Sequence, residues 1–403
     1  MALNIPFHRP SIGREEIDEV VRTLESGWLT SGPRTAEFER LFREYVGVPH
    51  ALGVNSCTAG LQLALAALQI GPGCEVITTP LTFCSTVNMI LHRGATPVLA
   101  DIGPDGNIDP ASVAERLTEK TRAILPVHLA GLPVDLEKIW GIARRHRLYV
   151  IEDCAHAVGA MYRDSPIGSG NPETGNYSDV AAFSFYATKN LTTGEGGMVT
   201  CHDERISERL KILCLHGISK DAWNRYADNG NWYYEVLEPG YKNNLSDLQS
   251  AIGIHQLKKL DHFISVRTKY AQMYREILAE VPELELPPER DDSRHAWHLY
   301  MLRLNLDRLT INRAEFINAL RDKGIGTSVH FIPIPLHPFF APYAELPQNA
   351  CPNALALYPR LVSLPLYPAM TEAQVEFVGQ TVKSLAHETA KKAVSLNLAI
   401  SGD

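Results

Sequence analysis

Residues 178–200 read SDVAAFSFYATKNLTTGEGGMVT. Val180 to Tyr186 is a β-branched and aromatic run, the composition of a strand, and it ends on small polar residues. Lys189 follows directly. Gly194-Glu195-Gly196-Gly197 then makes a glycine-dense turn into a second short strand, Met198-Val199-Thr200. An amine held between a buried strand and such a turn can be desolvated, which lowers its pKa and makes it nucleophilic toward an aldehyde. A solvated surface lysine is the alternative on this segment alone.

Outward from that segment the pattern is alternating helix and strand. Thr58 to Leu68 reads as a helix stopped by Gly71-Pro72-Gly73, Glu75 to Thr79 as a strand, and Leu81 to His92 as a helix. Ala95 to Ala100 is a strand, and Asp109-Pro110 opens a helix with an N-cap Asp and a first-turn Pro. Ala123 to His128 and Leu148 to Glu152 are strands around an amphipathic helix, Val134 to Arg147. Strands spaced by helices imply βαβ crossovers and a mostly parallel sheet covered on both faces. Past Gln249 a long helix, Ser246 to Tyr274, leads to strands at His295–Leu304 and Thr327–Ile332 with a helix at Arg313–Lys323 between them. The expected organisation is a large α/β domain over 1–255, a smaller α+β domain over 256–385 and a tail over 386–403.

Composition bounds the function. Of 403 residues, 21% are charged and 45% hydrophobic, an ordinary globular balance. The formal charge of −8 and the lack of a basic stretch argue against nucleic acid. Seven scattered cysteines without a C-x-x-C pair argue against a disulfide framework and a structural zinc site, so no metal is expected. No apolar run reaches the roughly 18 residues of a membrane span, and the N-terminus lacks a signal-peptide core. A cytoplasmic protein is expected.

Ligands of parallel sheets sit outside the carboxyl ends of the strands. Three further strand-end sites lie there. Asn55-Ser56-Cys57-Thr58-Ala59-Gly60 enters a helix, whose free N–H groups favour an anion; a plain N-cap is the alternative. In Ile151-Glu152-Asp153-Cys154-Ala155-His156, alternation points Asp153 where Ile151 points, and its carboxylate can pair with a protonated ring nitrogen. In Pro80-Leu81-Thr82-Phe83 the aromatic ring can stack on a planar cofactor or serve as core.

With the motifs NSCTAG, PLTFCST, IEDCAHAVG, FSFYATKNLTTGEGG, GYKNNLSD, HAWHLY and IPLHP in order, the chain resembles the DegT/DnrJ/EryC1/StrS sugar aminotransferases, which have the fold-type-I pyridoxal-phosphate architecture. The resemblance implies that Lys189 carries pyridoxal 5'-phosphate covalently and shuttles the reaction's proton. It implies that Asp153 holds the pyridine nitrogen protonated, that Phe83 covers one ring face and that His156 lies against the ring. Cys57 through its backbone, Thr58 and Ser184 would bind the phosphate. Asn244 would reach the phosphate of a neighbouring subunit in a homodimer. Family members that act as dehydratases carry His in place of the lysine, so Lys189 implies transamination. Within the family the chain is most similar to the UDP-4-amino-4-deoxy-L-arabinose–oxoglutarate type, which implies a nucleotide-linked 4-keto sugar and L-glutamate, the latter leaving as 2-oxoglutarate. Thr30 and His330 would be substrate-site residues, and the polar insert 216–234 would line the entrance. HFIPIPLHPFF at 330–340 departs from that type's usual loop and leaves the sugar open; a 3-keto sugar or cyclitol is the alternative. A Rossmann dehydrogenase lacks its G-x-G-x-x-G here, and a non-catalytic relative would be expected to have lost Lys189.

Overall fold

The computed structural model describes residues 4–168, 170–171, 176–219, 233–340 and 351–391. Helices α1 (Arg14–Glu25) and α2 (Pro33–Val46) precede strand β1 (His50–Val54). The chain then alternates through α3 (Cys57–Ala67), β2 (Glu75–Thr78), α4 (Cys84–His92), β3 (Thr96–Leu99) and α5 (Pro110–Glu115). Next come β4 (Thr121–Leu125), α6 (Leu136–His146) and β5 (Tyr149–Asp153). The short pair β6 (Met161–Tyr162) and β7 (Ser165–Pro166) leads to β8 (Val180–Ser184), β9 (Gly197–Cys201) and α7 (Glu204–Cys214).

Seven of these strands form one sheet in the order β1-β9-β8-β5-β4-β2-β3. All neighbours are parallel except at β9, which runs antiparallel to both β1 and β8. The mostly parallel sheet expected from the sequence is therefore present. Helix α3 explains why its sequence is apolar on nearly every side: all but two of its residues are buried, so it has no solvent face to be polar on. Its cap is Ser56, whose side chain accepts from the Ala59 N–H at 3.1 Å. Asp109 caps α5 in the expected manner, accepting from Ala111 N–H at 3.0 Å with Pro110 at the first position.

Helix α8 (Asp247–Leu278) joins the two halves. Its 32 residues span about 48 Å and start in a Ser246/Gln249 capping box. Ile254, Leu257, Leu260 and Ile264 pack in the core of the large sheet, whereas Tyr270, Ala271, Tyr274 and Leu278 belong to a second core. The helix thus runs unbroken through 255/256, and its side chains change cores between Ile264 and Tyr270. That second core lies against β10 (Leu284–Glu285), β12 (Tyr300–Leu304) and β13 (Leu361–Leu364), an antiparallel sheet backed by α9 (Arg313–Asp322) and α11 (Glu372–Glu388). Strand β11 (Ser293–Arg294) pairs instead with β6, and α10 (Pro352–Leu357) packs near Asp101. Ile5 also sits in the second core, bridged to Ile325.

Several expected boundaries shift. The strand expected over His295–Leu304 is β12 alone, because His295 to His298 form a tight turn with Trp297 at φ 48°. Thr327–Ile332 is not a strand: after one bridge, Ser328 to Ser363, the chain turns inward to bring His330 and Phe331 to the site. The strand before Lys189 ends at Ser184, with one further bridge from Tyr186 to Gly194. The helix expected from Leu81 begins at Cys84, since the Leu81 N–H donates to Thr79 Oγ1 in a turn. Residues 220–232 of the insert, Ser169 and the tail from 392 lie outside the described residues.

Candidate active site

The predicted residues gather at the carboxyl edge of the parallel strands. Asp153 is the last residue of β5 and is buried; Ser184 ends β8; Cys57 and Thr58 open α3 just past β1; Phe83 is the N-cap of α4 beyond β2. Register holds these ends together, since Asp153 pairs with Ala182 and Ser184 with Gly197. Gly197 has a steric reason to be glycine: a Cβ there would come within 2.8 Å of the Cys57 nitrogen at the start of α3. The loop after β8 turns twice on glycines in the positive-φ region, Gly194 at 82° and Gly196 at 157°.

Asp153 Oδ2 accepts from Thr86 Oγ1 at 2.9 Å and Oδ1 from the Ala155 N–H at 3.1 Å, with Cys57 Sγ at 3.7 Å. Thr86 in turn meets Thr82 at 2.8 Å. Every one of these hydrogen-bond partners is neutral, and burial pushes the Asp153 carboxyl above its ordinary range. A buried carboxyl in that state has capacity for a cationic N–H.

Lys189 is half-buried as a residue, and burial of its amine pushes it down to about 8, opposed by Cys57 and Asp153. Among the described residues no carboxylate lies within salt-bridge distance of it. Its recorded polar contact is the ring of His298, Nζ to Nε2 at 3.4 Å. His156 is buried and neutral, with its pKa pushed well down by burial. Its Nδ1 accepts from the Ala130 N–H at 3.2 Å, so Nε2 carries the ring proton. Phe331 stacks on it at 5.6 Å, and Phe83 lies 6.1 Å from Phe331 with 59% of its surface exposed. His330 sits at the rim, hydrogen-bonded to Ser363 Oγ at 2.9 Å, and burial holds it at about 4.

Two expected residues lie elsewhere in this chain. Asn244 donates to Ser31 Oγ at 2.8 Å beside the end of β1, and exposed Thr30 accepts from the Asp247 N–H through its carbonyl at 3.2 Å. Neither hydrogen-bonds the Lys189 group within the subunit. Two residues that reach the centre were missed by the sequence reading. Thr86 was legible as a hydroxyl three positions after Phe83 on the same helix start. His298 lay within the HAWHLY motif but carried no local signal for its direction. One buried group of possible metal ligands, His128, Glu152 and Cys154, lies within 4.8 Å. Both His128 nitrogens are engaged there, Nε2 with Glu152 at 2.7 Å and Nδ1 with the Val134 N–H at 3.1 Å.

The donor set fits pyridoxal phosphate in three independent ways. Asp153 suits a ring N–H, burial lowers the pKa of Lys189 so that its amine more readily loses its proton and meets an aldehyde, and the first turn of α3 presents the Cys57 and Thr58 N–H groups to a phosphate. The Thr58 hydroxyl has no hydrogen-bond partner among the described residues.

Comparisons with known proteins give the family and the fold. A model of the DegT/DnrJ/EryC1/StrS aminotransferase family matches residues 10–383. The spore coat polysaccharide biosynthesis protein SpsC of Bacillus subtilis is 50% identical over 383 residues, 94% of this chain and 97% of its own. Among solved structures, the PLP-form of the putative sugar aminotransferase Spr1654 from Streptococcus pneumoniae superposes with a TM-score of 0.87 at 32% identity, covering 96% of this chain and 99% of that one. PseC of Helicobacter pylori, an aminotransferase involved in the biosynthesis of pseudoaminic acid, gives 0.86 at 30% identity over 96% and 100% of the two chains. With sheet, strand-end residues and a match over nearly its whole length, this chain belongs to the DegT/DnrJ/EryC1/StrS aminotransferase family.

Proposed function

We propose that the protein is a pyridoxal-phosphate-dependent sugar aminotransferase that moves the amino group of L-glutamate onto a UDP-linked 4-keto sugar. The observation that carries the reading is the pairing of two buried groups at adjacent strand ends: a lysine amine brought to about 8 and a carboxyl held by neutral donors. When bound, pyridoxal phosphate supplies an aldehyde that carries the amino group and a protonated ring that accepts electrons from the substrate carbon. In this reading Asp153 keeps the ring nitrogen's proton in place. The Lys189 amine moves a proton between the donor's α-carbon and the cofactor's aldehyde carbon, which requires the uncharged form that burial favours. Cys57, Thr58 and Ser184 hold the phosphate at the start of α3. Phe83 and His156 flank the ring and keep water from it.

The active unit in this proposal is a homodimer, with Asn244 serving the partner's site. Helix α1 supports it by being inside out. Its buried residues are Glu16, Glu19 and Thr23, which face α8, while Ile17, Val21 and Leu24 form an exposed stripe at i, i+4, i+7, continued by Trp28 and Leu29. An apolar stripe of that kind on a folded chain marks an association surface. His330 and Thr30 are assigned to the sugar-nucleotide side.

Two measurements test this. Borohydride reduction of the cofactor-loaded protein followed by peptide mapping should leave the cofactor's mass on Lys189; stable binding with no adduct there contradicts the assignment. A panel of keto-sugar nucleotides should show amino transfer to 4-keto sugars, and reaction with 3-keto sugars alone would overturn the substrate.

A further inference from the structure

The segment His295-Ala296-Trp297-His298 is built against its own backbone preference. Trp297 sits at φ 48°, the left-handed region that a bulky residue rarely adopts. Three residues hold the turn there: His295, Arg267 and Asn190. Its N–H donates to His295 Nδ1 at 2.8 Å, and its ring stacks on His295 at 4.0 Å with an interplanar angle of 1°. Buried Arg267 of α8 donates from Nη1 to the carbonyls of Trp297 at 3.1 Å, His298 at 3.3 Å and Leu366 at 2.7 Å. Asn190, the neighbour of Lys189, donates to the Ala296 carbonyl at 2.7 Å. Gly131 lets the turn approach, since a Cβ there would meet the His156 carbonyl at 2.8 Å and the His298 nitrogen at 3.3 Å. A strained backbone fixed by this many partners is a pattern of functional sites.

What the turn delivers is one ring. His298 Nε2 lies 3.4 Å from Lys189 Nζ, at the long end of hydrogen bonding, while Nδ1 is buried and has no partner among the described residues. A neutral imidazole carries one proton. A buried N–H without an acceptor is rarer and costlier than an unpaired acceptor. When Lys189 is uncharged the proton therefore belongs on Nε2, directed at the lone pair of the amine. The charged and titratable groups facing this pair are Asp153 and Cys57 from the sheet edge, His156, His330, Arg267 and His8. Burial disfavours a protonated His298 most, and the neighbouring Lys189, His156 and Arg267 add to it.

We propose that His298 is a further catalytic residue, one that donates a hydrogen bond to the free amine of Lys189 and holds it uncharged whenever it is not bonded to the cofactor. The inference rests on the aminotransferase reading for its purpose, and on the turn for its geometry. A donor that binds only the uncharged amine lowers that amine's pKa; removing the donor raises it.

The test uses the cofactor-free protein, in which the carbamylation rate of Lys189 by cyanate is followed by peptide mass spectrometry from neutral to alkaline pH. His298→Phe should move the titration of Lys189 upward by about half to one pH unit, which is roughly three- to tenfold less uncharged amine at neutrality. His298→Gln, which keeps an N–H donor, should restore the wild-type titration. If the phenylalanine variant does not fold, His298→Met repeats the test. In the loaded enzyme the ascending limb of the pH profile for a single turnover with L-glutamate should move upward in parallel. An unchanged titration in His298→Phe, or a glutamine variant shifted as far as the phenylalanine one, overturns the proposal. A wild-type enzyme that transfers no amino group at any pH defeats the functional reading and with it this residue's catalytic role; the amine titration identifies that failure separately.

Discussion

Asp153 and His298 come to the Lys189 site from opposite halves of the molecule and by opposite means, and of the two only His298 touches the amine. Asp153 comes off the end of a parallel strand, where the pleat fixes its direction and the neighbouring strands fix its place. His298 comes off a turn whose central residue is in a rarely populated conformation, held by a buried arginine 31 residues away in sequence. The first kind of residue costs the fold little, because the sheet would be built in any case. The second exists only because tertiary contacts overrule local preference. Positions of the second kind are where stability has been exchanged for placement.

The predictions separate these two supports. Lys189→Ala strikes where both converge and should lower amino transfer by ~10^3-fold or more, measured as single turnover. Asp153→Asn keeps shape and burial but removes the carboxyl, and should lower the rate on the order of 10^2-fold with little change in melting temperature. Arg267→Met should do the reverse. It leaves the carbonyls of Trp297, His298 and Leu366 without their donor and should cost about 2–4 kcal/mol in denaturant unfolding. Equal stability losses in the Asp153 and Arg267 variants would erase the distinction.

Acid sharpens it further. Burial holds His8 and His330 at about 4 and His295 at about 3, below the ordinary 6.5. The unfolded chain therefore takes up these protons first, so their contribution to stability is complete above about 6.5 and is lost as pH falls toward about 4. The melting temperature should drop over that window. Protonation of His295 Nδ1 also removes the acceptor of the Trp297 N–H. The smallest effect is expected at Phe83, whose ring is mostly exposed. Phe83→Ala should change stability by no more than about 0.5 kcal/mol while loosening cofactor retention in dialysis.

The same contrast explains what the sequence disclosed. Lys189, Asp153, Cys57, Thr58 and Ser184 stand at ends of elements whose period and caps are local properties, so their convergence on one sheet edge was legible. The sheet's mostly parallel character followed from helix lengths between strands. His298 was not legible. HAWHLYMLRL has a strand-like composition throughout, and its first four residues are held out of a strand by His295 together with Arg267 and Asn190, the last two distant in sequence. The expected strand at Thr327–Ile332 failed for a related reason, since its side chains are drawn toward Ser363 and His156. Helix α1 shows a third limit: its polar residues are buried by partners on α8, which no periodicity within α1 reveals.

The most direct measurement is the visible absorption spectrum of the purified protein with pyridoxal phosphate, before and after L-glutamate, beside Lys189→Ala. The account predicts that the wild type shows the band of lysine-bound cofactor and that glutamate converts it to that of the amine form, with no such conversion in the variant. A wild-type spectrum without the lysine-bound band, or a variant that responds to glutamate as the wild type does, would contradict it.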